Sequence, residues 1–233
     1  MSLAENLAES LGGHVRNKPG RLATAALAVL LVTGCAQNPP GVAAEVGGDR
    51  ITDEQVDQLA EALCGLSQDT PQGPVPTQQV RRQALQILLE VEIGRDLIDP
   101  DSVDKKQLAA AEQQTQAQSA ALPERLRGTF DDAVEGFFSA QLGLIALGRE
   151  SLVAKGTKNP DDAAAQTEGQ RLRDRYARRA GVSVDPRFGT FEQGQLQPAD
   201  GSLSVPVSDE AKASAAGESA GTDLPANLSC AAS

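Results

Sequence analysis

The chain has 233 residues, a formal net charge of -11, 40% hydrophobic residues and only 3% aromatic ones. Its one histidine, His14, excludes His₃ zinc and His-x-x-x-His metalloprotease centres. The acidic balance argues against a general nucleic-acid binder, which needs a basic surface to engage phosphates. The first element in the chain is an apolar run at 22–33, LATAALAVLLVT, too short to cross a bilayer as a free-standing helix. His14, Arg16, Lys18 and Arg21 precede it, with no acid after Glu9. A basic flank followed by a short apolar core is the pattern of a secretory signal.

The run ends in Val32-Thr33-Gly34-Cys35, which resembles the lipobox of bacterial lipoproteins. The resemblance implies cleavage before Cys35, a diacylglycerol thioether on its sulfur, and a chain held at the extracytoplasmic face of the cell membrane. Residues 1–34 are then signal and 35–42 a tether. The remaining 199 residues carry 18 basic and 30 acidic side chains and no histidine. Two cysteines are left over, Cys64 and Cys230. In an exported chain such a pair suggests a disulfide, with two free thiols as the alternative. Zinc or redox chemistry has little support, since there is no Cys-x-x-Cys and no histidine partner.

After the tether, residues 43–52 read as a short strand, a Gly-Gly-Asp turn and a helix start. Thr52 and Gln55 have the spacing of a capping box. A helix over 53–64 presents Val56, Leu59, Ala60 and Leu63 on one face. A polar loop with three prolines (65–76) leads into a stronger helix over about 77–98, where Val80, Ala84, Leu88 and Val91 stack and Leu85 widens the stripe. Asp99-Pro100-Asp101 stops it. Residues 102–121 read as a polar helix that packs on one side only.

Thr129-x-x-Asp132 is read as the start of a helix to about 153. It carries Phe130, Val134, Phe137, Phe138, Leu142, Ile145 and Leu152. This face is either core or a partly open apolar groove. The helix over 161–180 is rich in arginine (Arg171, Arg173, Arg175, Arg178, Arg179). Its charged face is either merely solvated or suited to anionic headgroups or an acidic client. After Gly181, residues 182–191 read as a strand with a proline-marked turn. From about 199 the chain is Ala, Ser, Gly, Asp and Glu, too polar to order itself. The working domain is therefore 43–198 and the tail 199–233.

The segment EVGGDRITDEQVDQL resembles the start of the SurA-like N-terminal domain of exported chaperones and foldase lipoproteins. Ala44, Val46, Gly48, Ile51 and Thr52 match that family's opening strand and turn, and Gly47 stands where an asparagine is usual. The resemblance covers about 43–98, and more loosely 165–192. It implies a mainly α fold: a helical domain closed by a small two-stranded sheet from the N-terminal and C-terminal segments. Isomerase-active members insert a parvulin domain before the closing helix. Here only about a dozen residues stand at that place, and the parvulin site needs histidines that the processed chain lacks.

The reading that follows is a membrane-anchored, chaperone-like protein that binds unfolded or nascent exported polypeptides without catalysis. Its partners are those polypeptides and the bilayer, through Cys35, with no nucleic acid, cofactor or metal. Leu85, Leu88, Phe137, Phe138 and Leu142 are candidates for the client face or the core. No catalytic residue is assigned, because no histidine base, serine triad or paired carboxylates in an apolar setting can be read. The competing reading is a structural or assembly lipoprotein with one dedicated envelope partner.

Overall fold

A computed structural model describes residues 38–67, 75–198 and 229–230. The signal, the lipobox residues Val32, Thr33 and Gly34, Cys35, and most of the tail fall outside them. The described chain opens with β1 (Val42–Val46) and β2 (Asp49–Thr52), paired antiparallel. Gly47 and Gly48 make the reversal, with φ of +61° and +108°, a backbone that side-chain-bearing residues rarely adopt. Thr52 and Gln55 then cap each other across the start of α1 (Asp53–Ser67). The Thr52 amide donates to Gln55 Oε1 at 2.8 Å, and the Gln55 amide to Thr52 Oγ1 at 3.2 Å.

A two-residue strand, β3 (Val75–Pro76), leads into α2 (Thr77–Leu97). A 3₁₀ turn (Pro100–Ser102) and α3 (Lys105–Ala121) follow. Asp104 caps α3 by accepting from the Lys106 and Gln107 amides. Ser119 is the one buried side chain of α3, so this helix lies on the surface against α4 (Glu124–Ala154). α5 (Asp162–Ala180) starts at the Asp161 cap.

α4 is the central element, in contact with α1, α2, α3 and α5. The main core joins Val46 and Ile51 of the hairpin to Val56 and Leu59 of α1, Leu85, Leu89 and Ile93 of α2, Leu126 and Phe130 of α4, and Phe188. A smaller cluster of Ile98, Val103, Ala140 and Leu144 lies beside it. Two glycines set the α4–α5 approach. A Cβ on Gly148 would meet the Ala165 carbonyl at 1.9 Å, and one on Gly169 would meet the Leu144 carbonyl at 2.1 Å.

The fold is mainly α, but the expectation of one two-stranded sheet closing the domain is overturned. Three small open sheets are present instead among the described residues. In the first, the order is β2-β1-β4, with β4 only Ser183–Val184, opposite Glu45 and Ala44. Pro186 has no N–H to give to a ladder, so the strand read over 182–191 stops there. A turn replaces it, with Phe188 N–H donating to the Asp185 carbonyl. The next residues pair among themselves, β5 (Thr190–Glu192) with β6 (Gln195–Gln197). The third sheet pairs β3 with β7 (Ser229–Cys230). A second difference is the start of α4. It begins after Pro123, five residues before Thr129, and the Thr129 hydroxyl instead donates to Gln58 of α1 at 3.0 Å.

Candidate functional site

The five apolar candidates do not form one surface. Leu85 is fully buried in the main core. Leu88 is partly buried against that core, and Leu142 against the smaller cluster. Phe137 and Phe138 are partly buried, their rings edge to face with centroids 5.9 Å apart. Helical spacing explains the division. Gly136 and Ala140 turn toward α2, where Val91 and Gly94 meet them, while Phe138, Leu142 and Ile145 follow one another along a different side. Among the described residues, Val153 is the one large hydrophobic side chain that is mostly exposed, at 55%.

Cys64 and Cys230 are joined as a disulfide, with Cα atoms 5.3 Å apart, within the range such a bond requires. Val75 of β3 stands opposite Cys230 in the adjoining sheet. The bond therefore fastens a short piece of the C-terminal segment to α1 and to the entrance of α2.

No family model, curated protein or solved structure matches this chain. Function has to be read from the arrangement of its own residues.

Three polar constellations were not singled out in the sequence. In the first, Glu168 is buried and accepts from Ser151 Oγ at 2.7 Å, Lys155 Nζ at 2.5 Å and two nitrogens of Arg171. Arg171 above all, then Lys155 and Ser151, hold its carboxyl well below the usual carboxylate range. In the second, Arg187 donates to Asp53 and Asp185. The Arg187 guanidinium lowers the Asp185 pKa and is itself raised. Arg81 and Arg187 both lie over the buried ring of Phe188, at 5.2 and 5.7 Å from its centroid. In the third, the Tyr176 hydroxyl donates to Asp96 Oδ2 at 2.6 Å, beside Gly47. That bond, with burial and the charges of Asp96 and Asp49, pushes the phenol up to about 12.

The first joins the consecutive helices α4 and α5, and the other two tie distant segments. Gln86 does the same for the β5–β6 hairpin. Its amide nitrogen donates to the Gly194 carbonyl at 3.1 Å, and its oxygen accepts from the Leu196 amide at 2.7 Å. The Ser151 and Tyr176 hydroxyls each meet a carboxylate, but Arg171 and Lys155 hold Glu168 ionised and make it a weak base. Among the described residues, no group of three or more His, Cys, Asp or Glu is placed to hold a metal ion. No described helix is long and apolar enough to cross a membrane. The described surface carries a partly open apolar stripe on α4 and an arginine-bearing α5.

Proposed function

We propose that this protein is a lipid-anchored, extracytoplasmic binding protein that holds unfolded or exported polypeptides without catalysis, and without prolyl isomerase activity. The anchor reading is supported by Val32-Thr33-Gly34-Cys35 at the end of a short apolar run. The resemblance of residues 43–98 to the opening of SurA-like domains supports a role in handling exported chains. The observation that carries polypeptide binding is the stripe of Phe138, Leu142 and Ile145, partly open on the longest described helix, with Phe137 edge to face beside Phe138. An apolar client segment laid on it would gain about 25 cal/mol per Å² of apolar area buried. The acidic surroundings favour basic clients and repel other copies.

The test is aggregation of a reduced, unfolded exported protein in the presence of residues 36–233. The described core and the disulfide lie wholly within this segment. Suppression is expected, and Phe138→Ser with Leu142→Ser should weaken it, compared at a temperature where circular dichroism shows the variant folded. No suppression at several-fold molar excess rejects the reading. Proline isomerisation above the spontaneous rate rejects its non-catalytic part.

One observation favours the second reading, a structural lipoprotein with one dedicated envelope partner. A holder of many unfolded chains works through a wide apolar surface. Here Val153 is the single large hydrophobic residue mostly exposed among those described. Crosslinking in the native membrane separates the two: one stoichiometric product supports a dedicated partner, and a broad set supports a client holder.

A further inference from the structure

We propose that the carboxyl end of α5 is a docking surface for anionic phospholipid headgroups, brought to the bilayer by the short lead from Cys35. The proposal rests on the lipid-anchor reading and deepens it, from attachment alone to the face the domain presents.

The first observation is charge. Arg175, Arg178 and Arg179 are exposed, in a chain of net charge -11. Among the described residues, none of the three is within ion-pair distance of a carboxylate, whereas Arg171 is paired with Glu168 and Arg173 with Asp174. Spacings of three and four place Arg171, Arg175 and Arg178 in one stripe, with Arg179 beside it. Arg179 also acts on Tyr176, where Asp96 and Asp49 oppose it. A helix dipole favours cations in the last turn, which accounts for Arg178 and Arg179 but not for Arg175 a turn earlier.

The second observation is where the chain enters the domain. Asn38 is stitched into the fold, not left in a tether. Its Oδ1 accepts from the Ser183 hydroxyl at 2.9 Å, and its Nδ2 donates to the Ala43 carbonyl at 3.4 Å. Ser183 opens β4, directly after α5. From Cys35 to Asn38 the chain can span at most about 10 Å, and from Ser183 back to Arg179 about 14 Å. An acylated Cys35 sits at headgroup level. The domain thus pivots on a point next to the end of α5, while the opposite end of that helix is about 28 Å away. Within this pivot, the arginines select the face. Near an anionic surface each adds about fivefold in binding, over a range of about 8 Å at physiological salt.

The test uses the full chain, produced in a host that processes lipoproteins and placed in vesicles of phosphatidylcholine, with or without phosphatidylglycerol. A donor dye is attached in Ala180→Cys or in Lys158→Cys, at opposite ends of α5, and energy transfer to an acceptor lipid is measured. With phosphatidylglycerol, transfer should be stronger from position 180. The gap should shrink in phosphatidylcholine alone and in a variant combining Arg175→Gln, Arg178→Gln and Arg179→Gln. Equal transfer from both positions, or a gap that survives the triple substitution, overturns the proposal. The mass of the amino-terminal peptide reports the acyl group separately. Its absence sinks the anchor reading, and the arginine surface is then judged on its own. Sedimentation of residues 36–233 with phosphatidylglycerol vesicles at low salt should fall about a hundredfold in the triple variant. Equal sedimentation of both forms, or of neither, overturns it.

Discussion

Phe188 governs how the segment after α5 returns to the domain. Its ring is 1% exposed and lies in the main core, with Arg81 and Arg187 over it. Gln78 reinforces the same turn by donating to the Arg187 carbonyl at 2.8 Å. Truncation to alanine leaves a cavity under two guanidinium groups. Phe188→Ala should therefore cost about 3–5 kcal/mol, read as a lower urea midpoint. Glu168 makes a different kind of contribution. The folded state lowers its pKa from the ordinary 4.5, so its stabilisation is present above pH 4.5 and lost as pH falls through the lower folded value. Denaturant titrations below pH 4.5 should show a shallower acid decline for Glu168→Gln than for the native chain. An unchanged slope would mean that other carboxylates, such as Glu61 beside Arg125 or Asp185 beside Arg187, dominate acid unfolding.

Between elements, close approach matters more than bulk. At Gly148 and Gly169 the backbones of α4 and α5 touch. Gly148→Ala puts a methyl where the Ala165 carbonyl stands, and the helices must part. We expect a loss of about 1–3 kcal/mol despite alanine's better helix propensity, measurable as a fall in thermal midpoint. The disulfide acts across a longer range. Its two cysteines are 166 residues apart, and loop-closure entropy for such a span reaches about 5 kcal/mol. Replacing both cysteines by serine should lower unfolding free energy by about 2–5 kcal/mol. The helices were legible because their apolar residues recur at three and four. The start of α4 was not: Thr129-x-x-Asp132 imitates a cap, and only contact with Gln58 of α1 reveals that this threonine is otherwise engaged. The sheets were misread for a related reason. Val182 and Val184 alternate as a strand should, but Pro186 and the Gln193-Gly194 turn divide the segment between two partners.

Across the whole molecule, the candidate surface was only half legible. Leu85 and Phe137 look alike in a hydrophobic pattern, yet one is fully buried and the other partly open. That difference depends on which neighbours cover each face, and on small residues such as Gly94, Gly136 and Ala140 that let α2 approach α4. Gln86 and Asn38 left no trace, because a side chain that binds a distant backbone or hydroxyl has no local period, and the local Glu168–Arg171 pair did not reveal that Ser151 and Lys155 complete its cluster. The pairing of Cys64 with Cys230 has one more consequence, in time and not in space. A chain exported amino end first delivers Cys64 while Cys230, 166 residues further on, is still to come. The cross-link cannot close until nearly the entire polypeptide has passed through. On the proposed export reading the bond would mark completed translocation, and a thiol-reactive label should capture Cys64 in stalled chains and miss it in finished ones.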